Sequence, residues 1–161
     1  SSHLSVEPDA CLLHQHFEVL EGSCPCVGCH LLENTRQDFL RDSLGVVTLV
    51  IDYPEIFGEF CSFVLSNFEE EYIFLDLWSN VYSKGSFVKP HSHFSEEYPV
   101  GKNGVFYIKK PKDSGNLVVE DQVIDCEEND IVIFGNSDMH WSQPNESNED
   151  RIILSFNIIP I

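Results

Sequence analysis

The chain has 161 residues and a net charge of −18, from 9 basic and 27 acidic side chains. Its hydrophobic content of 42% is enough for one buried core and too high for a disordered acidic chain. The negative charge argues against a polyphosphate partner, and no apolar run nears the ~20 residues of a membrane-spanning helix.

The N-terminal Ser1-Ser2-His3-Leu4 has neither a basic stretch nor an apolar leader, so the expectation is a cytoplasmic protein. Leu12, Leu13, Phe17, Val19 and Leu20 fit a strand or a short helix. Ser23 to His30, with Pro25 and Gly28, reads as a loop. Asn34 can cap a short helix running to about Leu44 and stopped by Gly45. Val46 to Ile51 is a β-branched run that suits a buried strand. From Pro54 the period changes: Ile56, Phe57, Phe60, Cys61, Phe63, Val64 and Phe68 form the apolar stripe of a helix that ends at Glu69-Glu70-Glu71. That helix should lie across the back of a sheet.

Beyond Tyr72 the pattern is short strands and turns. Ile73–Tyr82 alternates loosely, and Val105–Lys109, Leu117–Glu120, Ile131–Phe134 and Ile152–Ile159 follow. Turn signals at Asp113-Ser-Gly115 and Glu128-Asn-Asp130 separate them. Such spacing predicts an antiparallel barrel or sandwich.

Within that half lies His91-Ser-His93, two histidines that an extended segment points to the same side, with Lys89-Pro90 fixing the approach. His140 follows a strand ending in Phe134-Gly135, where a barrel mouth is expected. Neutral imidazoles from separate strands suit a metal site with open positions. Glu97 is spaced to offer an oxygen ligand in addition or instead. Six lysines (Lys84, Lys89, Lys102, Lys109, Lys110 and Lys112) surround the motif in sequence. They read either as ordinary solvated charges or as a rim that admits an anion. Six cysteines occur, and with no export signal the thiols are expected to be reduced. Cys24, Cys26, Cys29 and His30 lie close enough to suggest zinc, and Cys26-Val-Gly-Cys29-His30 fits the pattern for haem attachment, but a plain loop accounts for both. His14-x-His16 has no downstream partner at a known spacing.

Two resemblances go further. Gly85, His91-x-His93, Glu97 and Gly104 match the first cupin motif position by position, whereas the second fits less well. From Trp78 to Ile158 the chain resembles the phage and bacterial branch of the 2-oxoglutarate/Fe(II)-dependent oxygenases. The matching stretches are Trp78-Ser-Asn80-Val-Tyr82, Pro90-His91-Ser-His93, Gly104 to Ile108, Ser114 to Leu117, Asp130 to Phe134, His140 and Arg151 to Asn157. Both families share a double-stranded β-helix. The resemblance therefore implies one mainly β domain, 1–161, with 72–161 as the barrel and 1–71 as a supporting extension with helices.

The oxygenase resemblance implies Fe(II) held by His91 and His140, and 2-oxoglutarate held by Arg151, whose guanidinium meets a carboxylate with two parallel hydrogen bonds. In that family a carboxylate usually stands two residues after the first histidine, where this chain has His93. His93 is then the third ligand, or Glu96 or Glu97 swings in. Ile153 stands where many such enzymes have a polar residue, so Ser155, Asn80 or Tyr82 would supply that contact. The implied activity is an O2- and 2-oxoglutarate-dependent hydroxylase whose prime substrate is unidentified. The alternative is a cupin-like metal-binding or non-catalytic barrel. Neither resemblance fixes an oligomeric state.

Overall fold

The structure, a computed structural model, describes residues 5–7, 12–16 and 54–161. The expected helix after Asn34, the Val46–Ile51 strand and the cysteine-rich loop lie outside the described residues.

Ten strands and one helix are described. They are β1 (Ser5–Glu7), β2 (Leu12–His16), α1 (Pro54–Leu65), β3 (Tyr72–Tyr82), β4 (Val88–His91), β5 (Lys102–Lys109), β6 (Leu117–Val119), β7 (Gln122–Ile124), β8 (Asp130–Gly135), β9 (His140–Ser142) and β10 (Arg151–Pro160). The larger sheet has the order β1-β2-β8-β5-β10-β3 and the smaller β4-β9-β6-β7. All pairings are antiparallel. This is the expected double-stranded β-helix. Of the open alternatives for the N-terminal apolar residues, Leu12–His16 forms a strand, which pairs with β8.

Side chains alternate across the larger sheet, as the two-residue period of a strand requires. One face carries Ile108, Ile131, Ile133, Ile152, Leu154, Phe156 and Ile158, all buried against Phe60 and Val64 of α1. The helix lies across the back of the sheet as its apolar stripe predicts. Phe60 stands edge-on to Phe156, with ring centroids 5.8 Å apart. The helix ends at Leu65, where the Asn67 carboxamide donates to the carbonyl oxygens of Phe63 and Val64 at 2.8 and 3.2 Å. That contact satisfies two of the carbonyls left open by the last turn. The opposite face of the sheet carries Val105, Tyr107, Val132, Phe134 and Ile153, packed against Leu117, Val119 and Ile124 of the smaller sheet. The barrel interior lies between them.

Two local features set which residues enter that interior. The ladder between β10 and β3 pairs Asn157 with Asp76 but Ile158 with Phe74, so Leu75 is an extra residue in β3. The bulge switches the parity of the strand. Tyr72 and Phe74 pack under α1, while Trp78, Asn80 and Tyr82 line the interior. It explains why Ile73–Tyr82 alternates only loosely. At Gly104, facing Phe156, an added Cβ would come within 1.9 Å of the ring. Glycine there lets Phe156 lie flat on the sheet.

Candidate metal centre

His91 and His140 face each other directly across the β4–β9 ladder. Their ring centroids are 4.1 Å apart. His93 lies just past β4, where its backbone N–H donates to Asn136 O at 2.8 Å. That bond turns its ring back toward the pair, 5.2 Å from His91 and 5.0 Å from His140. One ring nitrogen from each of the three lies within 4.8 Å of the others. Among the described residues this is the one group of three His, Cys, Asp or Glu side chains so placed.

The three rings are also held in the tautomer a metal requires. Nδ1 of His91 lies 2.7 Å from Lys89 O, Nδ1 of His140 lies 3.0 Å from Asp138 O, and Nδ1 of His93 lies 3.1 Å from Asn157 Oδ1. Backbone carbonyls accept only, so Nδ1 of His91 and His140 must carry the proton. The Asn157 amide donates its Nδ2 to Asp76 at 2.6 Å, leaving its Oδ1 to accept from His93. In each ring Nε2 is left as a lone pair. Burial lowers the pKa of His140 to about 4, helped by the neighbouring His91 and His93 and opposed by Asp138 O. It stays neutral and able to ligate near neutral pH. The donor set therefore fits a divalent first-row metal, with three neutral nitrogens on one side and room opposite.

Arg151 opens β10 and is 1% exposed. Its Nη1 donates to Ser114 O and, at 3.1 Å, to Gln143 O. Its guanidinium carbon lies 4.3 Å from the ring centroid of Tyr82, its partner across the ladder. Gly115, at φ +86°, makes this arrangement possible. An added Cβ would lie 2.7 Å from Nη1 and 2.6 Å from the Gln143 and Pro144 carbonyls. Nη2 is buried and has no hydrogen-bond partner. Burial lowers the pKa of Arg151, while Tyr107 and Tyr82 act against that shift. A guanidinium remains charged nonetheless. A buried cation with an unused N–H calls for an anion.

Histidines and arginine line one cavity of about 90 Å³. Trp78, Asn80, Tyr82, Asn103, Trp141, Ile153 and Ser155 are among the other residues of its wall. Of the expected anion-contacting residues, Ser155 and Tyr82 are buried there, and Asn80 is half-buried with its carboxamide against Trp78 Nε1 and Ser79 O. Glu97 is elsewhere. It is exposed, outside the three-histidine group, with the Tyr98 hydroxyl as its partner. Glu96 is exposed as well. The lysines do not form the rim, since none of the six lines this cavity. Lys102 sits over Phe68, Lys109 lies 3.5 Å from Glu149, and Lys84 bonds Asn148. A larger groove of about 720 Å³ collects Lys110, Lys112, Asp113, Asp125, Glu127 and Glu128. Its charges are mixed, and among the described residues the three-histidine group lies in the smaller cavity and not in this groove.

Four site residues were not singled out in the sequence: Asn157 and Asp76 behind His93, Gly115 beside Arg151, and Asn103. Asn157 shares a strand face with Arg151 and Ser155, a spacing that could have pointed to it. Asp76 continues the two-residue period of Trp78, Asn80 and Tyr82 and meets Asn157 in the same unbroken register, but the bulge at Leu75 ends that alternation just before it.

No family model matches the chain, and no curated protein matches it in sequence. Solved structures match it in shape. An oxidoreductase of the 2OG-Fe(II) oxygenase family from Burkholderia pseudomallei is 19% identical, with a TM-score of 0.51 over 71% of this chain and 56% of that one. HygX from Streptomyces hygroscopicus, with nickel and 2-oxoglutarate bound, is 10% identical, with a TM-score of 0.65 over 92% of this chain and 81% of that one. The viral collagen prolyl hydroxylase of Paramecium bursaria Chlorella virus-1, a 2-oxoglutarate complex, is 17% identical, with a TM-score of 0.51 over 70% and 73%. The fold is that of the 2-oxoglutarate/Fe(II) oxygenases. The chain spans little more than half the length of the Burkholderia protein.

Proposed function

We propose that this chain is a 2-oxoglutarate- and O2-dependent Fe(II) oxygenase of the hydroxylase type. The observation that carries the reading is Nη2 of Arg151, buried and unpartnered in the cavity that also receives the three histidines. In this reading His91, His93 and His140 hold iron through Nε2. When bound, iron couples decarboxylation of 2-oxoglutarate to oxidation of a C–H bond, giving succinate, CO2 and an alcohol.

The protein's own residues hold and orient. Arg151 binds the distal carboxylate, with Ser114 O and Gln143 O fixing one edge of the guanidinium so that the other faces the ligand. Tyr82 stacks on the guanidinium, and Ser155 and Asn80 stand on the same wall. Val105, Ile153 and Phe134 keep water from the site. With three neutral imidazoles the metal keeps its full charge, which favours a dianionic co-substrate. Free thiols at Cys61 and Cys126 suit a reducing, cytosolic setting.

The test is anaerobic titration of metal-free protein with Fe(II) and then 2-oxoglutarate. A visible charge-transfer band that disappears in Arg151→Ala, with succinate formed on admitting O2, is the expected result. If metal binds but neither band nor succinate appears, the chain is a metal-binding barrel without this chemistry.

A further inference from the structure

The three histidines stand at one end of the barrel, and the strand order fixes which loops belong to that end. His91 closes β4, His140 opens β9, and Val119 at the end of β6 pairs with His140. The segments 92–101, 120–121 and 136–139 leave or enter those strands and so rim the three-histidine group. They carry Glu96, Glu97, Glu120, Asp121 and Asp138, with neither lysine nor arginine. Four of these carboxylates are exposed and Asp138 is half-buried. Glu120 Oε1 accepts from the Met139 N–H at 2.7 Å, and the Asp138 carbonyl accepts from His140 Nδ1, which ties both residues to the site. Among the described residues no lysine or arginine forms an ion pair with any of the five. Lys102 opens β5 at the same end, but its ammonium sits over the Phe68 ring. The loops of the opposite end, at 83–87, 110–116, 125–129 and 143–150, mix Lys84, Lys110 and Lys112 with their carboxylates.

The metal-end rim also exposes large apolar side chains. Phe94, next to His93, is 57% exposed, Val100 is 64% exposed, and Met139, next to His140, is 41% exposed. Exposed apolar groups fringed by charge mark a place where another molecule docks.

The cavity beneath has little room to spare. Gln143 O, which holds Arg151, is three residues past His140, about 10 Å at the usual strand rise. A metal–oxygen bond of about 2 Å, a five-carbon chain of about 5 Å and a hydrogen bond of about 3 Å fill that span. The cavity measures about 90 Å³, where the pocket of a drug-sized ligand takes roughly 300 Å³ or more. A second whole molecule does not fit inside with 2-oxoglutarate. The prime substrate therefore lies on the rim and lowers one group toward the metal.

We propose that the prime substrate is a basic polypeptide segment. Its lysine or arginine side chains meet the five carboxylates, and its apolar side chains meet Phe94, Val100 and Met139. This rests on the oxygenase reading above and gives a substrate class to the same site. In the loaded site the 2-oxoglutarate dianion offsets the charge of the metal, so the rim carboxylates set the potential at the mouth and steer cations to it. A nucleic acid is repelled by the same loops. A free amine or amino acid meets the carboxylates and leaves the apolar positions bare.

Trp78 and Trp141, the two tryptophans of the chain, both line the cavity, so intrinsic fluorescence reports on its mouth. The experiment uses the full chain loaded with Zn(II) and 2-oxoglutarate. A short peptide of lysine, leucine and serine is titrated beside its counterpart with glutamate for lysine, and beside N-acetyl-lysine methylamide. The lysine peptide is expected to give a saturable change, at least tenfold tighter than the other two, and to weaken as salt is raised. Glu96→Gln combined with Glu97→Gln should weaken it at least fivefold, and so should Phe94→Ser, while 2-oxoglutarate affinity changes less than twofold. All three side chains are exposed, so the variants should fold. Glu127→Gln combined with Glu146→Gln removes the same charge at the opposite end and should leave peptide binding unchanged. Equal losses in the two double variants would mean attraction by net charge alone and would overturn the proposal. So would the absence of a saturable response to the lysine peptide, or a response matched by the glutamate peptide or the lysine derivative. If 2-oxoglutarate fails to bind, the Arg151 reading falls, and the peptide comparison still decides docking on this rim.

Discussion

The two faces of the larger sheet are made from the same strands, residue by residue, and differ in what they leave unfinished. On the α1 side, Ile152, Leu154, Phe156 and Ile158 alternate along β10 and are all closed over by apolar neighbours. One residue out of step on the same strand, Arg151, Ser155 and Asn157 face the barrel interior beside Ile153. There a guanidinium Nη2 has no partner. The closed face makes the sheet stable enough for the open face to hold groups that cost stability until a ligand arrives.

That division gives different outcomes for substitutions one residue apart. Phe156→Ala empties the closed face and should lower stability by about 3–5 kcal/mol, read as a fall in the denaturation midpoint. Metal should still bind whatever folded protein remains. Arg151→Ala should do the reverse: unfolding moves little or upward, because an unpaired buried charge is gone, while 2-oxoglutarate affinity measured calorimetrically falls about a hundredfold, close to 3 kcal/mol. Gly115→Ala pushes on the same guanidinium and should follow it. A smaller effect is expected behind the metal. Asn157→Leu removes the acceptor that fixes the His93 tautomer and should weaken Co(II) binding about tenfold, with an altered visible spectrum. If Asn157→Leu leaves both unchanged, His93 is not a ligand.

The smallest effect concerns pH. Burial pushes the Cys126 thiol up from 9.0 to about 12, with Asp130 adding to the shift. A raised folded pKa means that the folded state holds the proton more tightly. This stabilisation is fully present below pH 9 and is lost as pH rises toward 12. Denaturation midpoints should decline across that window, and more gently in Cys126→Ala, whatever its starting stability.

Much of this division was legible in the sequence because it rests on period. The i, i+2 spacing of Ile152, Leu154, Phe156 and Ile158 marks a buried face, and the stripe from Phe57 to Val64 marks the helix that covers it. His91-x-His93 shows two rings on one side of an extended chain. What period cannot show is closeness between segments far apart in sequence. The lysines near the motif look like a rim in one dimension, but the fold sends Lys102 to Phe68 and Lys109 to Glu149. Glu97 follows the histidines in sequence and still points to solvent. The strands β7 and β9 are three residues each, too short to show any alternation. The hairpin joining β6 to β7 depends on positive φ at Glu120 and Asp121, residues that do not announce it.

Leu75 belongs to neither face, being the surplus residue of β3 and nearly half exposed. Remove it, and Phe74 runs directly into Asp76 as one uninterrupted ladder, with Ile158 still opposite Phe74 and Asn157 still opposite Asp76. Simple alternation then keeps Tyr72 and Phe74 under α1 and sends Asp76, Trp78 and Tyr82 to the interior. The surplus residue breaks the period of the strand in the sequence without deciding which side chains face which layer. A single codon deletion would leave the helix and the cavity with the same strand, less the local bend that a bulge imposes.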